Sequence, residues 1–201
     1  ILGGLCFICS NKVASGEIHH LDYGQIKLGA YANNYRQVGI TPMMERIAAD
    51  FRTAGIEISL SEDLLLARWQ KLVWNIPYNG LSVVLDATTD RLMADPHTSK
   101  LVTQLMYEIQ LIAAAYDRQI TDEFISTMLA YTIDMTPYRT SMKIDYDEGR
   151  PLEITAMFEA PLAFARAKNI DIPRIEMLTQ QLQFMNDRDR NRLTRSIACG
   201  C

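Results

Sequence analysis

The hydrophobic period of this chain changes once, near residue 61, and that change constrains its folding more than any other feature. Before it, apolar residues come in short runs broken by turn residues. Residues 4–9, 17–21 and 25–28 read as short β-strands, separated by Ala14-Ser15-Gly16 and Asp22-Tyr23-Gly24 as turns. Three such strands imply an antiparallel meander. A helix follows. Thr41 can cap it, and Pro42 takes the first helical position, where a missing N–H costs nothing. Met44, Ile47, Ala48 and Phe51 form its inward stripe, and Gly55 ends it. Residues 56–60 then alternate with period two, as a strand does.

After residue 61 the pattern is helical throughout. Ser61 is a candidate cap, and Glu62 and Asp63 put negative charge at the positive end of a helix running to about Leu85. Asp95-Pro96 opens a second helix, with Leu101, Leu105, Ile109, Ile112 and Tyr116 at helical spacing. Thr121-Asp122-Glu123 opens a third, with Phe124, Ile125, Met128 and Leu129 inward. Pro151 precedes a segment carrying Ile154, Met157, Phe158 and Ala165, which Pro161 should kink. Asp171 and Pro173 open the last helix, with Ile175, Leu178, Leu182 and Met185 inward. The run from Arg188 to Arg192 has no apolar stripe and reads as the start of a loose, solvated tail. The expected architecture is α+β: a small mixed piece, residues 1–62, followed by a helical domain, residues 63–201.

Apolar residues are 48% and charged residues 22% of the 201, which excludes a disordered or low-complexity chain. A net charge of −4 argues against nucleic-acid binding through a basic surface. No apolar run approaches the roughly 18 to 20 residues of a membrane helix, so no membrane partner is expected. The chain opens on Ile1-Leu2-Gly3-Gly4-Leu5 rather than Met and reads like the middle of a folded domain. The expectation is a piece of a longer protein. Cys6 and Cys9 lie at one end, Cys199 and Cys201 at the other. Structural zinc needs four convergent ligands, and an odd offset on a strand sends Cys6 and Cys9 to opposite faces. The reading is small buried hydrophobes and tail thiols in a reducing cytoplasm, with no metal.

Chemistry concentrates in two segments. In the first, residues 68–81, Lys71, Asn75 and Asn79 fall at i, i+4 and i+8 among Trp69, Leu72, Val73, Trp74, Ile76, Tyr78 and Leu81. On a helix they make one slowly drifting polar stripe. Buried Lys and Asn need partners. The stripe is either a grip for an oxygen-rich small molecule, with a lysine able to donate a proton, or a polar seam between helices. Pro77 falls between the asparagines and should kink the helix or break it. The second segment, residues 138–154, is a polar connection holding Ser141 and ending in Glu153 at a helix start, where the helix dipole alone favours an acid. There is no Gly-x-Gly-x-x-Gly. No Ser/His/Asp triad is suggested, and His19, His20 and His97 carry no assigned chemistry.

Lys71-x-x-x-Asn75-x-x-x-Asn79, with Ser141-Met142 and a glutamate twelve residues after that serine, resembles the ketopantoate reductases. Gly16-Glu17-Ile18-His19-His20 and Gly24-Gln25-Ile26-Lys27-Leu28-Gly29 add to the likeness. The resemblance covers nearly the whole chain. It implies a mostly α-helical C-terminal domain, like that of 6-phosphogluconate dehydrogenase, preceded by the last strands of a Rossmann-type domain. It implies NADPH as cofactor and a 2-keto acid as substrate, 2-dehydropantoate being reduced to pantoate on the route to coenzyme A. It makes Lys71 and Glu153 catalytic: Lys71 protonates the ketone oxygen, and Glu153 holds the substrate hydroxyl and helps set the lysine's orientation and charge. Asn75, Asn79 and Ser141 bind substrate, with Ser141 on the carboxylate. The residues that hold the cofactor are unassigned, because the glycine-rich turn is not in this chain; the isolated 201 residues are expected to reduce nothing. A homodimer is compatible with this reading. The alternatives are a relative reducing another 2-keto acid, or a non-catalytic helical binding or dimerisation module.

Overall fold

Two long strands, not three short ones, open the chain. β1 (Leu2–Ala14) and β2 (Glu17–Ala30) pair antiparallel across the Ser15-Gly16 turn. Asp22-Tyr23-Gly24 does not reverse the chain as expected. Phe7 faces Gln25 and Ile8 faces Tyr23, so Gly24 is an extra residue in the ladder. Tyr23, at φ 59°, and Gly24, at φ 158°, absorb it as a β-bulge. A bulge uses turn-type residues but bends a strand rather than ending it. The structure is a computed structural model that describes the backbone of residues 1–198 and the side chains of residues 1–188 other than 11, 21 and 22; Cys199 and Cys201 lie outside the described residues.

α1 (Pro42–Thr53) connects β2 to β3 (Ile58–Ser61), and these two strands run parallel, with Ile26 opposite Ile58. The sheet order is β1-β2-β3. Thr41 caps α1 as the sequence suggests, its hydroxyl accepting from Met44 N at 3.3 Å. Leu28, Ala30, Met44, Ala48 and Ile58 form the core between helix and sheet, with Ile26, Phe51 and Leu60 at its margin.

The chain divides into two compact units, Ile1–Lys71 and Leu72–Cys201, and the division falls within α2 (Leu64–Val84). Asp63, not Ser61, caps this helix: its carboxylate accepts from Leu66 N at 3.0 Å. Ser61 is still paired to Gly29 in the sheet, so helix geometry starts later and the cap moves with it. Pro77 lies inside α2 and does not end it.

The second unit continues with α3 (Thr89–Ala94), α4 (Pro96–Ala115), α5 (Asp122–Asp134), α6 (Ser141–Asp147), α7 (Ala160–Ala167) and α8 (Pro173–Ala198). Asp95 caps α4 through His97 N and Thr98 N, and Thr121 caps α5 through Phe124 N. α4 packs against α5, α7 and α8, burying Val102, Leu105, Met106, Ile109 and Ile112. The segment before α7 holds a π-turn at Thr155–Glu159, where Ala160 N donates to Thr155 O. Pro161 offers no N–H and would crowd the Met157 carbonyl in α geometry; the wider turn gives it room. α8 is helical to Ala198. No glycine or proline occurs between Arg174 and Ala198.

The start of α8 is held from another helix. Ile172 occupies the cap position and has no side-chain acceptor. Glu108 of α4, 4% exposed, supplies one instead. Its carboxylate accepts from Arg174 N at 3.1 Å, Ile175 N at 2.9 Å and the Arg174 guanidinium at 3.2 Å. α2 and α8 approach so closely that a Cβ on Gly80 would sit 2.5 Å from Leu178 Cδ2. Leu178 is 2% exposed and has little room to move. A Gly80→Ala change gains about 1 kcal/mol of helix propensity and costs about 1–3 in overpacking. The expected net result is a destabilisation of up to about 2 kcal/mol, read as a lower urea midpoint with unchanged slope.

Candidate active site

Lys71, Asn75 and Asn79 fall on successive turns of α2, the spacing read from the sequence. Lys71 Nζ donates to the Cys6 carbonyl of β1 at 2.7 Å and lies 5.4 Å from the centroid of the Phe7 ring. A neutral acceptor and a ring face are among the contacts that hold the ammonium. Asn75 is half-buried.

Asn79 is 2% exposed, and its Oδ1 accepts from Met142 N at 3.2 Å. That bond ties α2 to the first turn of α6, where Ser141 lies exposed. Two motifs some sixty residues apart in the sequence are thus brought together. The oxygen of Asn79 has a protein partner, and its amide nitrogen is the side with donors to offer. Glu153 is exposed and sits immediately before Ile154 and the π-turn, with its carbonyl accepting from Met157 N at 3.2 Å.

The same corner holds residues that sequence reasoning passed over. Ser82 and Thr140 are fully buried, and their hydroxyls lie 2.7 Å apart. Ser82 Oγ donates to the Asn79 carbonyl at 3.1 Å, and Thr140 Oγ1 accepts from Lys143 N at 3.3 Å. Lys143, 7% exposed, pairs with Asp147 one turn on and with Asp86 beyond α2 at 2.8 Å. Burial works against the Lys143 ammonium, but the two carboxylates outweigh it and leave its pKa above the ordinary lysine value. Lys143 in turn holds the exposed Asp86 carboxyl below the usual range. The available signal was Ser82 three residues after Asn79, on the same face of the helix. Lys143 gave none, since a lysine in a polar connection reads as solvated.

Aromatic packing backs the stripe. Trp74 Nε1 donates to Thr132 Oγ1 at 2.9 Å, and its ring lies 4.8 Å from that of Tyr78. The Tyr78 hydroxyl reaches Met93 Sδ at 3.1 Å. Burial pushes the Tyr78 phenol up to about 12.

Residues 63–186 match the family model described as Ketopantoate reductase PanE/ApbA C terminal. The chain belongs to this family. It is 61% identical over 190 residues to the 2-dehydropantoate 2-reductase of Nostoc sp., a match covering 94% of this chain and 60% of that protein. The crystal structure of 2-dehydropantoate 2-reductase from Geobacter metallireducens superposes with a TM-score of 0.84 at 42% identity, over 90% of this chain and 60% of that one. The enzyme from Methylococcus capsulatus gives a TM-score of 0.84 at 31% identity, over 94% and 59%. The chain therefore spans about 60% of the length of these relatives. Among the described residues no helix is long and apolar enough to cross a membrane.

Proposed function

We propose that this chain is the substrate-gripping and proton-donating part of an NADPH-dependent reductase that converts 2-dehydropantoate to pantoate. The observation that carries the reading is the Asn79–Met142 bond, which joins the Lys/Asn helix to the Ser-Met segment within a domain of this family. The hydride for the carbonyl carbon would come from NADPH when it is bound. A Gly-x-Gly-x-x-Gly cradle for its pyrophosphate is not among the residues of this chain. The chain's own part is confined to holding the keto acid and delivering a proton.

In that part, Lys71 protonates the oxygen that becomes the pantoate hydroxyl. The developing alkoxide is a far stronger base than the ketone, so an ammonium is acid enough. The same positive charge stabilises the alkoxide as it forms. Asn75 and the amide nitrogen of Asn79 donate to substrate oxygens, Ser141 holds the carboxylate, and Glu153 accepts from the substrate hydroxyl. The exposed Cys6 thiol is compatible with a cytoplasmic, reducing setting. The test is NADPH oxidation by the whole protein against a panel of 2-keto acids. The expected result is a kcat/KM for 2-dehydropantoate above that for every other member. A higher value for another acid rejects the substrate, and no turnover with any of them rejects the reductase.

A further inference from the structure

The reductase reading gives Ser141 a task but does not say what aims it. Ser141 is exposed on the first turn of a short helix, where its own packing fixes little. The residues on either side of it are buried: Thr140 at 0% and Met142 at 2% exposure. Both neighbours are tied to α2, one through Ser82 and one through Asn79.

The direction of the hydroxyl bonds follows from proton count. Each hydroxyl has one proton to give. Ser82 gives its proton to the Asn79 carbonyl. The 2.7 Å contact must then use the Thr140 proton, with Ser82 Oγ as acceptor. Thr140 Oγ1 keeps a lone pair for Lys143 N. In this arrangement both hydroxyl protons meet an acceptor and the Lys143 N–H is satisfied as well. Two hydroxyls in an apolar interior are not required for stability, since a matched apolar pair can be as stable. What such a pair adds is a fixed distance between two backbones.

We propose that Ser82 and Thr140 are positioning residues for the reaction: their buried hydroxyl pair sets the place of Ser141 and thereby the grip on the substrate carboxylate. The inference rests on the reductase reading. Neither residue touches substrate; both act through Ser141.

The experiment is steady-state kinetics of the whole enzyme carrying Thr140→Val, Thr140→Ser or Ser82→Ala. Valine keeps the shape of threonine and loses the hydroxyl; serine keeps the hydroxyl and loses a methyl. The expected result for Thr140→Val and Ser82→Ala is a KM for the keto acid raised about tenfold, the effect of one lost hydrogen bond on binding. The kcat and the KM for NADPH stay near wild type, and Thr140→Ser retains the wild-type KM for the keto acid. If Thr140→Val does not fold, Ser82→Ala decides the matter, since it removes one oxygen and leaves the Thr140 cap in place. A folded Ser82→Ala enzyme with wild-type KM overturns the inference. So does a Thr140→Ser enzyme as impaired as Thr140→Val, because the hydroxyl then has no part. These failures leave the reductase reading standing. A wild-type enzyme that reduces no 2-keto acid overturns both.

Discussion

Replacing Lys71 by alanine in the whole enzyme is expected to lower kcat by about 10²- to 10⁴-fold, the range for losing a general acid. The fold is expected to survive. Lys71 is only half-buried, and losing its bond to the Cys6 carbonyl removes about 1 kcal/mol. Lys71→Arg separates charge from proton donation. The guanidinium stays positive but does not give up a proton in the accessible pH range. The expected Lys71→Arg enzyme binds the keto acid with little change in KM and turns it over as poorly as Lys71→Ala. Full kcat in Lys71→Ala would remove the lysine from the mechanism and leave the non-catalytic module as the better account.

The second large effect concerns stability. Glu108→Ala strips the start of α8 of its acceptor and strands two backbone N–H groups, those of Arg174 and Ile175. Arg174 is partly exposed and can turn its charge to water, so no buried cation is abandoned. The cost is set by the two orphaned donors and the emptied space, about 3 kcal/mol in total. Glu108→Gln keeps one carbonyl oxygen and is expected to cost about half as much. Urea unfolding checks both, and a loss below about 0.5 kcal/mol for Glu108→Ala, no more than an ordinary surface change, would show that solvent satisfies the helix end.

These two residues also mark what a sequence exposes and what it hides. Lys71, Asn75 and Asn79 were legible because helix spacing is local: the same four-residue step that makes them neighbours in space is written in the chain. The caps Thr41, Asp95 and Thr121 were legible for the same reason. Glu108 was not, because the helix end it serves lies more than sixty residues on and Asp171 offered a nearer but unused acid. The Cys6 carbonyl that holds Lys71 was hidden likewise, since any backbone offers a carbonyl and only the fold chooses one. The β-bulge at Gly24 misled differently. Glycine and a residue at positive φ serve turns and bulges alike, and only the pairing partner across the ladder tells them apart.

The π-turn between Glu153 and α7 sets a gauge on chain length. A turn of this kind accommodates one residue more than the α-helix it interrupts. Each residue of an α-helix advances the chain by about 100° around the axis. Removing one residue from Thr155–Glu159 would restore regular winding and keep Glu153 near its present bearing on α7, whereas a residue removed from the regular helix of α7 would turn what precedes it by roughly that angle. The turn thus holds one spare residue, and the bearing of the acid depends on the length of the regular helix that follows it.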